Sequence, residues 1–536
     1  MSLLILSDFN DGWLKKLSGK FKIYYKGYII GMTFEKVIED LCGYLENFQS
    51  EALKIYLNSI RGHFGIVITS QDSAFLLVDK IRSIPIFYSN DTNTFSAFSI
   101  PPKENCILDE DCAIEILMSG YVSGSKTLCK NIFQLNAGEY IFRQNKLLKK
   151  FDYYQFLPKN KIRNETESMD ESLTEVFDKV IKGMIHSANG RQIILLLSAG
   201  YDSRIIASFL KKFKYQKVLC VTYGHKRSFE VNIAKEVSKR LGFRCLWVPM
   251  SRRKQRKIMS SDEFNDYLKY SDTLANSPIV MDFAVISYLK NNNLIDKDAI
   301  FVNGNTGDFI SGGHIIKKEY KDTSDKYLVN AYIEKHYSLW ECLKNRRNML
   351  LISNILYAQI KKIKNSSEFN LQPYQINEFL EWNGRQSKFV SSVQRGYEFF
   401  GYDWRMPLWD PIFMNFWENI PIESKLNQKL YKDWIHKNNW EGVWNDIEVN
   451  NYSIASFFTR FIRFCFKLFF LLIGKKAWKK FDKKIFWYFL DNTGATAISK
   501  YLDVILDDCG ARNRNSWIAK KYIFNKGIRI KEFNEK

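Results

Sequence analysis

From Ile193 to Arg204 the chain reads Ile-Ile-Leu-Leu-Leu-Ser-Ala-Gly-Tyr-Asp-Ser-Arg. An apolar run breaks into a short Ser/Gly loop with one carboxylate and a second serine, and a helical pattern follows. A buried strand turning tightly into a helix leaves backbone N–H groups aimed at one point, which suits a phosphate chain. No Gly-Lys-Ser/Thr closes the loop, so it is not a Walker loop. Ser198, Gly200 and Ser203 offer hydroxyl and N–H donors, and Asp202 offers an oxygen ligand for Mg²⁺. The competing reading is an ordinary strand-to-helix turn in which Asp and Ser only cap the helix.

The surrounding pattern extends this constraint. Residues 1–155 are β-rich, with short Ile/Val/Phe/Tyr runs at 20–31, 63–70, 74–81 and 85–89 and a helix around 34–45. A hairpin over 139–154 is expected to turn at Gln144–Asn145. A polar linker spans 158–171. Helical stretches at 172–185, 204–213 and 229–241 then alternate with strands at 193–197, 217–224, 244–250 and 299–304. Such alternation predicts a parallel sheet covered on both faces, with ligands at the carboxyl ends of its strands. Ser198, Tyr223 and Asn303 fall at or just beyond those ends. The strand near 302 opens into a second Gly-rich loop, Val-Asn-Gly-Asn-Thr-Gly-Asp-Phe-Ile-Ser-Gly-Gly-His, ending at His314. Asp202 and Asp308, on neighbouring strand ends, are expected to anchor Mg²⁺ across a triphosphate. Beyond about 330 the chain reads as mostly helical, without internal repeats.

A chain of 536 residues implies two or three domains. Its nine cysteines form no Cys-x-x-Cys pair and lie apart from the six histidines, so reduced thiols are expected rather than zinc or a disulfide framework. The N-terminus lacks a basic segment before its apolar residues and does not read as a secretory signal. A net charge of +21 admits an anionic substrate, an anionic membrane, a nucleic acid or simply a solvated basic surface.

The first loop resembles the Ser-Gly-Gly-x-Asp-Ser pyrophosphate loop of the ATP pyrophosphatases. The second resembles the Ser-Gly-Glu-Gly-x-Asp-Glu loop of the asparagine synthetase family, with Asp308 on its metal-binding aspartate and Gly312–Gly313 on its glycine pair. Gly-Tyr-Asp-Trp-Arg-Met-Pro-Leu-Trp-Asp at 401–410 resembles that family's Gly-x-Glu-x-Arg-x-Pro-Phe-Leu-Asp segment. The runs 62–68, 79–88 and 136–139 resemble landmarks of its glutamine amidotransferase sandwich. The resemblance implies an α/β protein. An N-terminal α+β sandwich (Ntn-hydrolase-like, 1–157) precedes a parallel-sheet, adenine-nucleotide-hydrolase-like synthetase domain (172–440), and a basic, aromatic-rich helical extension covers 441–536. It also implies that Leu197, Tyr223, Asn303 and Gly304 meet adenine and ribose, largely through backbone atoms, and that Glu230 matches an acidic helix position. Lys432 would lie near the transferring phosphates. Asp403, with Arg405 and Asp410, would organise the pocket floor, and Lys432 and Asp403 are the catalytic candidates.

The chain departs from the family pattern at several positions. The family's glutaminase uses an N-terminal cysteine, whereas Ser2 stands here, and a serine is a far poorer nucleophile without a strong base. Glutamine hydrolysis is therefore expected to be lost, leaving ammonia or a substrate amine as the nitrogen source. Ala199 replaces a loop glycine, and Asn305 and Phe309 replace glutamates, which puts aspartate as the acceptor in doubt. Relatives without the cysteine include β-lactam synthetases and lasso-peptide cyclases, and others in surface-polysaccharide clusters are thought to amidate sugar carboxylates. The expected activity is ATP-dependent adenylation of a small-molecule, saccharide or peptide carboxylate, followed by amide formation. Asparagine synthesis, cyclisation of a peptide or β-lactam, an RNA-modifying pyrophosphatase and an inactive scaffold are the alternatives. A nucleic-acid partner is not expected. The aromatic stretch 456–480, with Arg460, Arg463 and Lys467 on one helical face, is expected to pack on the synthetase core with its cations reaching water. The other reading is an interfacial helix on anionic lipid. The expected location is cytoplasmic, at most peripheral to a membrane's inner face.

Overall fold

The structure, a computed structural model, describes every residue except 1–2, 8, 10–11, 91–93, 105, 146, 160–168, 227, 316–323, 450–456, 487, 489–497 and 534–536. Ser2, Ser456 and most of the expected 158–171 linker therefore lie outside the described residues. The amino-terminal region holds β1 (Leu3–Ser7), β2 (Leu14–Ser18), β3 (Phe21–Ile30), β4 (Arg61–Thr69), β5 (Ser73–Val78), β6 (Phe87–Asn90), β7 (Thr94–Phe98), β8 (Phe133–Gln134), β9 (Glu139–Gln144) and β10 (Leu147–Asp152). They form one sheet of order β10-β9-β5-β4-β3-β2 and another of order β1-β7-β6-β8. The hairpin turn falls at Gln144–Asn145, where Asn145 takes a φ of 56°.

Strands β4 and β5 are buried on both faces, because alternate side chains enter different cores. Phe64, Ile66, Ile68, Phe75 and Leu77 pack with Leu41 and Leu53 of helices α1 (Phe34–Glu46) and α2 (Ser50–Ser59). Val67, Leu76 and Val78 belong instead to the cluster holding Tyr88, Phe95 and Ala97 of the second sheet and Leu117 of α3 (Glu110–Ser119). The result is helix, sheet, sheet, helix. The 79–88 landmark has a structural explanation. Asp79 is fully buried and accepts N–H bonds from Phe64 at 3.0 Å and Ile81 at 2.8 Å, although burial still pushes its carboxyl up to about 6.

The second body is built on β11 (Ile193–Leu196), β12 (Val218–Gly224), β13 (Arg244–Pro249), β14 (Ile300–Val302) and β15 (Asp403–Arg405), all parallel in the order β13-β12-β11-β14-β15. Helices α4 (Met169–Ala188), α5 (Tyr201–Lys212) and α6 (Phe229–Leu241) accompany it. The expected alternation is present. The edge strand β15 was not foreseen as a strand; its three residues carry no strand pattern of their own and are paired by tertiary contact with β14.

The two bodies are clasped by buried polar contacts. Arg61 grips Asp410 through two hydrogen bonds of 3.2 and 2.8 Å. Lys26 meets the buried Glu398 at 2.9 Å, and Trp382 donates its indole N–H to Lys80 O at 3.0 Å. The carboxyl-terminal residues are not an appendage. Trp517 packs edge-on against Trp340 with centroids 5.2 Å apart, and Tyr522 donates to Asp272 at 2.7 Å.

Two expectations fail here. Cys106 and Cys129 form a disulfide, with Leu108 and Cys129 bridged as antiparallel neighbours, a tertiary proximity that spacing along the chain does not reveal. The other seven cysteines are free. The aromatic Phe457–Ile473 helix does not bury itself on the parallel-sheet body: Phe458, Phe461, Phe464, Leu468, Phe469 and Leu472 are all exposed.

Asp410 also caps the Pro411–Glu418 helix by accepting from Ile412 N at 2.9 Å. Replacing it with Ala removes both the cap and the partner of Arg61, and should cost about 3–4 kcal/mol in urea unfolding, with Asp410→Asn losing less because the cap survives. Around Glu398, burial works to raise the carboxyl, but Lys26 and Arg395 outweigh it and hold it at about 2. Its contribution to stability should be complete above pH ~4.5 and disappear as pH falls from there through 2. Lys26→Met should lower stability at neutral pH and weaken this pH dependence, read as a smaller midpoint difference from wild type at pH 3 than at pH 5.

Candidate active site

The carboxyl ends of β11 and β14 release the two Gly-rich loops side by side, and the loops touch. Asp308 donates its backbone N–H to Asp202 Oδ2 at 3.3 Å, and Tyr431 donates its hydroxyl to Asp202 Oδ1 at 3.3 Å. Gly307 makes the approach possible, because a Cβ there would fall on the Asp202 carboxylate. Gly304 lies against the Asp202 backbone in the same way, with space of only 3.0 Å. The loop then turns through Phe309–Gly313, where Gly312 has φ 96° and faces the Lys425 backbone too closely for any side chain. Gly304 and Gly307 are demanded by contact, and Gly312 by both contact and its left-handed backbone.

The first loop is closed by its own hydroxyls. Ser203 Oγ accepts from Ser198 N at 3.1 Å, and Ser198 Oγ accepts from Gly200 N at 3.1 Å. Helix α5 starts at Gly200 without a side-chain cap. Its first N–H groups and the positive end of its dipole therefore face the loop, the arrangement that binds anions. The loop's back is held by Arg204, which is fully buried and donates to Ala199 O, Val443 O, Ile447 O and Glu448 O, all at 3.0 Å. Charged hydrogen bonds of this kind contribute roughly 1.5–3 kcal/mol each.

Asp202 and Asp308 respond oppositely to their surroundings. Desolvation and the charge of Asp308 push the Asp202 carboxyl well above the usual range. Asp308 opens to the cleft with 59% of its side chain exposed. The desolvating walls act to raise its pKa, but the hydrogen bond and charge of His314 outweigh them and lower it. His314 Nε2 lies 3.1 Å from Asp308, and its Nδ1 contacts the buried Glu381, which also meets Lys335 and His336 at 3.2 Å. Burial opposes a charged His314, yet Glu381 and Asp308 hold its pKa at about 9. Two carboxylates on facing loops match Mg²⁺, which is usually held by one or two carboxylates with substrate phosphates completing the shell. Among the described residues no cluster of three or more His, Cys, Asp or Glu side chains forms a metal cage.

A second polar network lies at the ends of β12 and β14. Tyr223 and Tyr397 each donate to Asp282 at 3.1 Å, Asn303 donates its side-chain amide to Tyr397 at 3.1 Å, and Asn303 Oδ1 accepts from Asn305 N at 2.7 Å. Leu197 follows β11 and donates to Val221 O at 2.9 Å. Glu230, on the first turn of α6, is raised by desolvation and lowered in part by Arg514. Lys432 stands on the Lys429–Asn438 helix, 5.9 Å above the Tyr201 ring, with its ammonium on Asn427 O at 3.0 Å. It therefore borders the start of α5.

Asp403 is not brought to this place. It is the first residue of β15, level with Ile300, so it lies at the amino end of the sheet while the loops leave the carboxyl end. It is exposed and bound to Arg191 at 2.7 Å. Arg405 stacks 4.0 Å above Tyr28 and holds Ser187, and Asp410 is engaged with Arg61, so both serve the junction between the bodies.

Beside Asp308 and His314 a cavity of about 250 Å³ is lined by Asn305, Arg385, Gln386, Phe389, Arg514 and Asn515, among others. Arg514 and Asn515 start the Arg514–Asn525 helix. Sequence reasoning missed Asp282, Tyr397, Glu381, Arg385 and Arg514 entirely, since none lies in a motif. Gly307 stood within the quoted second loop and Tyr431 beside the named Lys432, but their role depends on a contact with Asp202 that only folding creates.

Residues 185–441, just under half of the chain, match the family described as asparagine synthase. No curated protein matches the chain. Among solved structures, similarity is recorded to a glutamine phosphoribosylpyrophosphate amidotransferase from B. subtilis complexed with ADP and GMP, at 8% identity and a TM-score of 0.18, covering 55% of this chain and 63% of that one. A structure described as the allosteric regulatory enzyme of purine biosynthesis matches at 7% identity and a TM-score of 0.18, covering 45% and 72%. The chain thus spans less than two thirds of the first of these.

Gly307→Ala should force Asp202 aside and cost about 1–3 kcal/mol in thermal or urea unfolding, as overpacking does. Gly190→Ala, at a glycine with no atom within 4 Å of an added Cβ but with φ 73°, should show only the smaller backbone penalty.

Proposed function

We propose that this protein is an ATP-dependent amide ligase that releases AMP and pyrophosphate, using ammonia or a substrate amine. The asparagine synthase domain supports the ligase class. The observation that carries the reading is the contact of Asp202 with the Gly307–Asp308 backbone beside the uncapped start of α5. That contact brings paired carboxylates, helix N–H donors and loop hydroxyls to one point.

In this reading the Ser198–Ser203 loop binds the β and γ phosphates of ATP, and its hydroxyl bonds open to receive them. Adenine and ribose lie against Leu197, Tyr223, Asn303 and Gly304, with Asp282 and Tyr397 fixing Tyr223 and Asn303. Mg²⁺ bound by Asp202 and Asp308 would neutralise triphosphate charge. An acceptor carboxylate oxygen attacks the α-phosphorus, the α–β bridging bond breaks and pyrophosphate leaves. Lys432 swings from Asn427 O to meet the charge growing on pyrophosphate. The amine then attacks the acyl carbon, AMP leaves with the bonding pair, and the amine's extra proton passes to solvent.

The acceptor is placed in the cavity beside Asp308. Phe309, one of the residues that replaces a family glutamate, is fully buried against Phe156 and Trp409 and touches no acceptor, whereas Asn305 lines the cavity. The amides of Asn305, Gln386 and Asn515 suit hydroxyl groups, and Arg385 and Arg514 suit an acid. This chemistry favours a hydroxylated carboxylic acid, such as a sugar acid of a surface polysaccharide, over aspartate.

The test is pyrophosphate release by the full chain, screened over sugar acids, aspartate, other amino acids and peptides, with ammonia or glutamine. Sugar acids with ammonia should give the highest rate. Absence of both pyrophosphate and AMP with every acid would overturn the ligase reading. Asp202→Asn and Asp308→Asn should each lower kcat about 10²–10³-fold, and Lys432→Ala about 10²-fold. Asp403→Asn should leave kcat within a few fold. Arg514→Ala should raise the acceptor KM about tenfold with kcat largely kept.

A further inference from the structure

The Phe457–Ile473 helix carries an apolar surface that no described residue covers. Phe458, Phe461, Phe464, Leu468, Phe469 and Leu472 are spaced so that they share one broad arc of the helix, and all are exposed, from 49% at Leu468 to 89% at Leu472. The opposite stripe is occupied. Phe466 and Phe470 pack on Phe481 with centroids 5.2 and 4.8 Å apart, Phe470 packs on Trp478 at 5.7 Å, and Arg463 is bound to Asp482 at 2.5 and 2.8 Å. The Lys475–Ile485 helix thus supports the first helix from behind, after a turn at Gly474 with φ 113°. An exposed aromatic arc of this extent is unusual on a protein that meets only water.

Charge identifies the occupant. Arg460 and Lys467 stand one turn either side of Phe464, on the border of the arc. Lys475, Lys476, Lys479 and Lys480 on the supporting helix are exposed and make no ion pair among the described residues. The chain carries +21 overall, which opposes self-association and favours an anionic surface. The helix is about 25 Å long, and no described helix is long and apolar enough to cross a membrane. A cation-bordered aromatic arc on such a helix matches a surface lying at the level of lipid headgroups, its rings ~5–10 Å deep.

We propose that the 457–485 helical pair is a docking element for an anionic lipid bilayer, with the Phe461–Leu472 arc inserted at the interface and the lysines on the headgroups. The proposal does not depend on the ligase reading. A membrane-docked chain would, however, present the acceptor cavity to a lipid-linked acid.

Flotation of the full chain with phosphatidylglycerol/phosphatidylcholine vesicles tests it. The protein should float with anionic vesicles at 0.15 M salt, float weakly at 0.5 M salt and remain below with pure phosphatidylcholine. Phe461→Asp/Leu472→Asp, both on exposed positions, should abolish flotation with an unchanged circular dichroism spectrum and melting point. Lys475→Glu/Lys479→Glu should weaken it about tenfold or more. Failure to float with anionic vesicles overturns the proposal, as does equal flotation of the Phe461→Asp/Leu472→Asp variant. A wild-type dimer in light scattering that this variant converts to monomer would also overturn it, because the face would then belong to a second copy.

Discussion

One contact organises the parallel-sheet half of the molecule: the Asp202 carboxylate set against the backbone of Gly307–Asp308. A carboxylate pressed against a second loop that bears its own aspartate is electrostatically costly, and the raised Asp202 pKa records the cost. The surroundings offset part of it. Tyr431 donates to Asp202, and His314, kept charged by Glu381, compensates Asp308. What remains is a concentration of negative charge that a divalent cation would neutralise, beside helix N–H groups that attract phosphate. The loops, the glycines and the Glu381 cluster are consistent with preserving that one geometry.

The carboxyl-terminal residues complete the cleft from outside the family-matched segment. Arg204 ties the first Gly-containing loop to carbonyls at Val443, Ile447 and Glu448, and Arg514 and Asn515 form one wall of the cavity beside Asp308. Desolvation raises the carboxyls of Glu230 and Asp282, and Arg514 opposes that rise at both, so a single side chain of the carboxyl-terminal region acts on the polar network beyond β12 and on the cavity beside Asp308.

Several parts of this organisation were legible without coordinates. Apolar runs ending in Ser/Gly loops announced β11 and β14 and the ends at which Ser198 and Asn303 lie. The alternation of strand and helix periods announced a parallel sheet. The Gly-rich composition after β14 announced a second loop, although not that its glycines at 304 and 307 press on Asp202. Other parts were not legible. Asp403 stood in a motif-like segment, yet its register against Ile300 places it at the wrong edge of the sheet. Strand β15 has only three residues and forms because β14 offers an open edge. The Cys106–Cys129 disulfide and the exposure of the Phe457–Ile473 aromatics likewise follow from which surfaces meet, not from local pattern.

Sequence alone therefore determined the elements whose cause is local: side-chain period, loop composition and helix start, each set by backbone sterics and solvation within a dozen residues. Tertiary structure decided everything that depends on two distant segments sharing a space. It joined Asp202 to Asp308, placed Tyr431 and His314 on them, carried Arg514 across to the cavity and left an aromatic face that no described residue covers. The physical reason is that burial and Coulomb interactions are properties of neighbours in space, and a chain of 536 residues does not write those neighbours into any local window.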